Sequence, residues 1–504
     1  MSLYKPAAHR RIEFHPLVVA LAALAVAAAA RSQNQTNTTP EPQVRRPTTT
    51  HPTQQPLSPW QKLWIHNNQG APGTSNSNQA RSPFNMLGSH NGNGNESAES
   101  QSRSLNSSLT RTTPSLGRQT AGSAHGTTHL ATSRLFAGHP APPGSHETRT
   151  ANGTVVRKAA DGSVLAVANP RNGMLIQHGI DGSRRILVNQ PDRTRIFATS
   201  RGVQYVQHPY SYGGRTYDHR TYVFQGKTVH RYYRPYTYGG ATLDAYAPTR
   251  FYPLNFYRWA VTSFRPTPFQ WNYLNQPWYR HYSGYFSPDT SYSSPLPWLA
   301  DFVIGASLLT AYNAAQQGGQ TPPPPADTTS AITPQVKQLV TQEVDRQVRQ
   351  EAVEAQQNAH NVEPPPGAGG VVAELSDRQA HAFVVGSDLD LVDASGRRCM
   401  VSEGDVVAVV SAAKADTSSA DAIVLASKGG NECERSVRVQ IALNDVQEMQ
   451  NHMREAIDQG LAGTNAAKTV PAATPAFAQA GPSADPNAAQ EIERQQEIAA
   501  AAEG

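Results

Sequence analysis

Tyrosine and arginine residues are concentrated in the middle of the chain, and their side chains are the best candidates for binding a ligand. Fifteen of the 19 tyrosines lie between positions 205 and 282, and the interval 201–283 holds ten lysines and arginines against two aspartates, a formal charge of +8. Aromatic planes stack on sugar rings, and arginine pairs with phosphate or carboxylate. This stretch could therefore bind an anionic or sugar-rich polymer. The candidate binding residues are Tyr210, Tyr212, Arg215, Arg231, Arg234, Tyr236 and Tyr238.

The same composition has a purely structural interpretation. Tyrosine and arginine together can build a core that is poor in aliphatic residues, with the rings stacked on guanidinium groups. The two interpretations are compatible, because one face of a strand can be buried while the other binds.

Residues that could hold a metal lack the spacing for it. The histidines of the basic stretch form no ligand pattern, and the surrounding positive charge disfavours a cation. They are His208, His219, His230 and His281. Asp388, Asp390 and Asp393 resemble half a calcium loop, but the glycine and the distal glutamate of that pattern are missing. We therefore predict turn and strand-edge roles for these aspartates, with no metal and no cofactor.

Motifs for catalysis are also missing from the sequence. There is no Gly-X-Ser-X-Gly turn and no glycine-rich phosphate loop before a helix. Cys399 and Cys433 are an even pair, which in an exported chain predicts one disulfide rather than a reactive thiol. We therefore predict a non-enzymatic protein. A hydrolase with two facing carboxylates is the lesser alternative.

Regularly spaced turn residues predict the elements that position the tyrosines. Asn152-Gly153 and Asp161-Gly162 recur 20 residues later as Asn172-Gly173 and Asp181-Gly182. Both dipeptides tolerate the positive φ angles of hairpin turns, and short runs of Val, Ile and Leu separate them. Pro-Tyr-Ser-Tyr-Gly-Gly at 209–214 then recurs as Pro-Tyr-Thr-Tyr-Gly-Gly at 235–240. These patterns predict stacked β-hairpins with an aromatic face.

The N-terminus predicts export. Residues 1–30 combine Lys5, Arg10 and Arg11 with an apolar run of 14 residues and small residues before Arg31, as in a secretory signal. An uncleaved membrane anchor is the alternative, and the membrane is a partner only in that case. We expect a periplasmic, surface or extracellular location, which argues against nucleic acid as a partner.

Composition divides the remainder of the chain, and the fold class that we predict is mainly β with a few helices (α+β). The predicted parts are a disordered linker (31–150), a hairpin-repeat and Tyr/Arg-rich region with a packed helix (151–315), a Pro-rich linker (316–332), an amphipathic helix (333–357), a small β domain with a C-terminal helix (371–461) and a disordered tail (462–504).

The helix predicted for 333–357 is a candidate for a protein partner. Thr333 suits the N-cap and Pro334 the first helical position. Val336, Val340 and Val344 begin an apolar stripe with a period of about 3.6 residues. Such a stripe can dock on its own domain or on another protein. A structural or assembly protein that oligomerises through this helix, with the tyrosines as core, is therefore the alternative to a binding protein.

Residues 401–409, Val-Ser-Glu-Gly-Asp-Val-Val-Ala-Val, resemble the strand-turn-strand passage of bacterial SH3-like domains. That resemblance, with five or six short predicted strands, implies a small disulfide-closed, barrel-like domain. The order of a signal, a Tyr-rich passage, a helix at 298–309, a helix beginning at Thr333-Pro334 and a two-cysteine domain ending in Met-Gln-Asn-His-Met-Arg-Glu resembles a family of uncharacterised exported bacterial proteins. The second resemblance covers about residues 150–461 and implies no activity. We therefore expect an exported cell-envelope protein that binds an envelope polysaccharide, another anionic surface polymer or a protein.

Overall fold

The computed structural model describes residues 136–503, except 137, 201, 225–226, 263–275, 318–330, 378 and 411–417. The predicted signal, nearly all of the predicted linker 31–150 and most of the predicted linker 316–332 lie outside these residues. The described end of the first linker already contains a strand, His146–Arg149. The described chain is α+β and mainly strands, which confirms the predicted fold class.

Ten antiparallel strands form one sheet in which each strand pairs with its neighbours in sequence. The predicted turns connect them. Gly153 and Gly162 have φ angles of 86° and 87°, and the Asp161 carboxylate accepts the N–H of Ser163 at 2.9 Å. The predicted hairpin repeat is confirmed. The strands are β1 (His146–Arg149), β2 (Val155–Lys158), β3 (Val164–Asn169), β4 (Met174–His178), β5 (Arg184–Asn189), β6 (Arg195–Thr199), β7 (Gln204–Tyr212), β8 (Arg215–Phe224), β9 (Lys227–Tyr238) and β10 (Ala241–Ala247).

The helices cluster around this sheet. The one predicted at Thr333 begins at Pro334, and the Thr333 hydroxyl accepts the N–H of Val336 at 3.3 Å, which confirms the N-cap. Within the described residues the helices are α1 (Leu254–Val261), α2 (Pro277–Tyr282), α3 (Pro295–Gln317), α4 (Pro334–Ala359), α5 (Val371–Glu374), α6 (Leu443–Gly463), α7 (Ala476–Gln479) and α8 (Ala488–Glu503).

Residues 371–461 form an open sheet rather than the predicted barrel-like closure. Four strands pair in the order β11 (His381–Val384), β14 (Val406–Val409), β15 (Ser419–Ala426) and β16 (Arg438–Ala442). The hairpin of β12 (Leu389–Val392) and β13 (Arg398–Val401) pairs outside that sheet. The predicted disulfide between Cys399 and Cys433 is present.

The two folded regions share one hydrophobic core. Helix α6 packs against β10 of the large sheet, β11 of the small sheet and helix α3. The valine stripe of α4 is buried in the same core, with Val340, Val344 and Val348 fully inaccessible. The face that was the candidate for a protein partner is therefore covered by the chain itself.

The C-terminal segment is helical where a disordered tail was predicted. Helix α8 lies against strands β5–β8, and Ala488, Ile492 and Ala499 are buried there. Arg184 and Glu503 form an ion pair at 2.9 Å. The alanine-rich sequence contains an apolar stripe, and the helix that carries it depends for its stability on packing against the sheet.

Helix α3 is the most apolar described helix. Asp301 lies within it at 0% exposure and pairs with Lys337 at 2.9 Å. Among the described helices, none combines the length and the apolarity needed to span a bilayer.

Candidate functional site

A partly enclosed cavity of about 180 Å³ lies between the large sheet and helices α3 and α6. Strands β6–β8 form one wall, and the two helices form the others. The lining is mainly apolar, with Leu309, Leu389 and Met449 among its aliphatic and thioether groups. Its aromatic members are Phe197, Tyr205, Tyr222, Phe224, Trp278 and Phe302. Large aromatic and aliphatic walls with a few polar groups are typical of small-molecule sites.

Carboxylates of α6 line one side of this cavity, and each has a partner in the protein. Asp445 accepts a hydrogen bond from Arg185 at 2.7 Å. Glu448 accepts two from Arg220, at 2.7 and 2.9 Å. Glu455 accepts the hydroxyl of Tyr233. The cavity therefore presents paired charges rather than free ones.

Arg220 links the acidic helix to the tyrosine-rich strands. Its guanidinium is fully buried and lies 4.0 and 3.9 Å from the ring centroids of Tyr205 and Tyr233. Burial raises the pKa of Tyr205 to about 12, so this phenol stays neutral at physiological pH. Burial also raises the pKa of Glu455, against the opposing effects of Arg231 and the Tyr233 hydroxyl.

Ser307 and His452 meet at the cavity with Oγ and Nε2 2.7 Å apart. The Ser307 hydroxyl also lies 2.9 Å from the carbonyl of Val303, one helical turn earlier, so its single proton has two acceptors within reach. Burial lowers the pKa of His452 to about 4, so the ring is neutral. Among the described residues no carboxylate acts on this imidazole, since burial is the single cause of its shifted pKa.

The predicted binding residues differ widely in exposure. Arg215 alone is exposed, and it pairs with Glu363 at 2.7 Å. Tyr210, Tyr212, Arg234 and Tyr238 are half-buried, and Arg234 lies 3.1 Å from Glu354. Arg231 and Tyr236 are buried, and the Tyr236 hydroxyl donates to Gln447 at 2.7 Å. In the free protein most of these side chains pack internally, and binding through them stays a prediction.

Both faces of the tyrosine-rich strands are covered within the chain. Tyr232 and Tyr233 are consecutive in β9 and therefore point to opposite faces. The Tyr233 hydroxyl bonds Glu455 of α6, whereas the Tyr232 hydroxyl donates to the carbonyl of Pro482 at 3.0 Å. Phe477 of α7 also stacks on Tyr217.

Two of the three aspartates that resembled half a calcium loop, Asp390 and Asp393, have the predicted local roles. Asp393 accepts the N–H groups of Ser395 and Arg397 at 2.8 and 2.9 Å. Asp390 pairs with Arg398 at 2.8 Å.

The acids of α6 and His452 were not among the residues selected from the sequence. One signal pointed to them. The stretch 201–283 carries ten cations and two carboxylates, so any buried part of it needs acids from elsewhere in the chain. The segment 443–463 carries four acids on one helix: Asp445, Glu448, Glu455 and Asp458.

Comparison of the chain with protein-family models, curated proteins and solved structures gave no significant match.

Proposed function

We propose that this chain is an exported, non-enzymatic protein that binds a small, largely apolar ligand in the cavity between β6–β8, α3 and α6. One observation carries the proposal: the cavity is walled by aromatic and aliphatic groups, and the charges at its rim are paired with each other. An apolar cavity of about 150 Å³ accepts a benzene-sized molecule. A single ring or a short acyl chain matches the volume seen here.

Two features support the remaining parts of the proposal. A disulfide persists in oxidising compartments, which agrees with the export signal predicted for residues 1–30. Within the described residues no carboxylate acts on His452, and Glu448 is paired with Arg220; both observations favour binding over catalysis. A ligand that enters this site gains affinity from burial of apolar surface rather than from a new ion pair.

The test fills the cavity by one substitution. Ala306 lines it on α3, whereas Ala311 lies on the same helix, is half-buried and does not line it. We expect the single-ring probe toluene to bind the wild type saturably in isothermal titration calorimetry, and Ala306→Phe to weaken binding by about tenfold or more, since 1.4 kcal/mol corresponds to a factor of ten. Ala311→Phe should bind as the wild type does.

Two results would overturn the proposal. One is the absence of saturable binding to the wild type. The other is equal affinity of Ala306→Phe and wild type while circular dichroism shows both to be folded.

A second candidate keeps the anionic polymer as the ligand. Arg215 is exposed and pairs in register with Tyr212 at the end of the β7–β8 hairpin, so a ring and a cation lie together at a hairpin tip. We expect salt-sensitive retention on envelope polysaccharide, weakened by Arg215→Ala, because exposed charge interactions are screened. Substituting Arg231 or Arg234 is a poor test, since both lie beside carboxylates in the interior. If Arg215→Ala is retained on the polysaccharide as strongly as the wild type, this hairpin tip is not the binding site.

A further inference from the structure

Three side chains with metal-binding atoms meet where α4, α5 and β11 converge, at residues that play no part in the proposed apolar site. Glu343 lies in α4, Glu374 ends α5 and His381 begins β11. One ligand atom from each lies within 4.8 Å of the others. Glu343 and His381 are fully buried. Burying two carboxylates together is costly unless something positive lies between them.

The imidazole of His381 is oriented as a metal-bound imidazole is. Its Nε2 faces the carboxylate of Asp377 at 2.9 Å, and its Nδ1 faces Glu343 at 3.0 Å. Histidine ligands usually donate their second ring N–H to a carboxylate, which fixes the tautomer and the ring plane. Asp377 would have that role here, and Nδ1 would be the ligand atom.

Gln347 supplies an independent observation. It lies one helical turn after Glu343, is 1% exposed, and its amide nitrogen contacts Glu343 at 2.8 Å and both oxygens of Glu374 at 2.8 and 2.9 Å. That nitrogen has two hydrogens for three oxygens. The amide oxygen is buried and has no hydrogen-bond partner. Turning the amide over would point this oxygen at the carboxylates, an orientation that a cation between them, or a proton on one of them, would favour.

The surroundings limit what the site can hold. Gln450 of α6 donates to Glu374 at 2.6 Å. Arg346 contacts Glu343, lies 3.5 Å from Nδ1 of His381 and is 26% exposed. An ion entering the cluster would displace this guanidinium towards solvent. A nitrogen ligand beside carboxylate and amide oxygens suits Zn²⁺ better than Ca²⁺ or Mg²⁺.

We infer that Glu343, Glu374 and His381, with the amide oxygen of Gln347, form a structural Zn²⁺ site that joins α4 to the α5–β11 segment. Four protein ligands leave no open position, which is the arrangement of a structural rather than a catalytic zinc site.

The test uses tag-free full-length protein treated with a chelator and then titrated with Zn²⁺ or, for its visible absorption, Co²⁺. Both cysteines are in the disulfide, so the Co²⁺ spectrum would report nitrogen and oxygen ligands alone. We expect about one equivalent of tightly bound Zn²⁺, a rise in Tm, and a Co²⁺ absorption band that saturates at the same stoichiometry.

Glu374→Gln is the decisive variant. It removes a ligand charge but keeps the shape of the side chain, and it relieves repulsion from Glu343, so it should fold at least as well as the wild type without metal. We expect it to lose the Tm rise and the Co²⁺ band and to bind Zn²⁺ at least tenfold more weakly. The control is Asp345→Asn. Asp345 lies on α4 with Glu343 but pairs with Arg349 away from the cluster, so this variant should behave as the wild type does.

The inference is overturned if the wild type retains no Zn²⁺ after desalting. It is equally overturned if Glu374→Gln and Asp345→Asn bind Zn²⁺ as the wild type does, because the ion would then occupy other histidines.

Discussion

Buried acids and cations are the side chains on which the centre of the large sheet depends. Asp218 and Asp244 are 3% and 2% exposed and share a hydrogen bond. Burial, and then the charge of Asp244, raise the pKa of Asp218 to about 7. Asp244 lies beside Arg195 and Arg220, which lower its pKa despite burial. The proton that the pair holds at acidic pH therefore lies on Asp218 and is lost around neutral pH.

Asp218→Asn should stabilise the protein in a pH-dependent way. The folded wild type keeps the proton up to about pH 7, whereas an unfolded chain loses it near pH 3.9. Stability of the wild type therefore falls as the pH rises from about 4 to 7. The neutral asparagine avoids that loss, so we expect the variant to be more stable at pH 8 by about 2–4 kcal/mol, with the advantage disappearing towards pH 4. Urea unfolding at several pH values measures this. A difference that does not depend on pH would contradict it.

At the scale of residues, the sequence predicted which side-chain types and which charge fill this region, but not which side chains pair with each other. The excess of tyrosine and arginine in 201–283 was visible, as was its charge. Arg220 meets Glu448, however, 228 positions further along the chain, and Tyr233 meets Glu455 after 222 positions. No local pattern encodes such pairs, since either acid could equally have faced solvent. The burial of Arg231 follows from the same helix, whose Glu455 lies 3.8 Å away.

At the scale of elements, the clearest difference from expectation is α8. Ile492 is 2% exposed and packs with Ala488 and Ala499 on the large sheet. We expect Ile492→Ala to lower the free energy of unfolding by about 2–4 kcal/mol, the usual result for a large-to-small change in a core. Glu497→Ala, at an exposed position of the same helix, is the matched control. Chemical denaturation of both variants measures the effect, and a disordered tail would leave them equal.

Elements defined by local signals were predicted well. Turn dipeptides fixed the hairpins, and Thr333 with Pro334 fixed the start of α4. Helix α8 lacks such signals. Alanine and glutamine are good helix formers, but a helix of 16 residues is marginal in isolation, so docking on the sheet supplies most of its stability.

At the scale of the whole molecule, removing the disulfide tests whether the two folded regions unfold together. Cys399 and Cys433 lie 34 positions apart in the sequence. In the chain-entropy description, removing a disulfide that closes a loop of that size lowers the free energy of unfolding by about 3–4 kcal/mol. Four of the six tryptophans lie between 259 and 298, and residues 371–461 contain none. Because the regions share a core, we expect Cys399→Ser with Cys433→Ser to shift the tryptophan-fluorescence transition and the circular-dichroism transition together. Independent domains would leave the fluorescence transition in place.

That shared core was beyond sequence reasoning. By their composition, the Pro- and Gly-rich segments around 316–332 and 364–370 are linkers, which would indicate that the folded regions on either side of them are independent. Helix α6 nevertheless carries Met449 and Met453 into the same core as Leu243 of β10 and Phe383 of β11. Which elements share a core is decided by shape complementarity among distant segments, and composition does not record it.

The pairing of α6 with the sheet also has a kinetic consequence. Neighbouring strands of the sheet contact each other locally, so the hairpins can form early and quickly. Part of the positive charge of the sheet stays uncompensated until α6 packs on it, because Arg185 and Arg220 pair with acids 260 and 228 positions later. Closing loops of that length slows the final step. A chain that is synthesised from its N-terminus would therefore hold a half-assembled, positively charged sheet until α6 (Leu443–Gly463) is released, and this intermediate would be prone to aggregation.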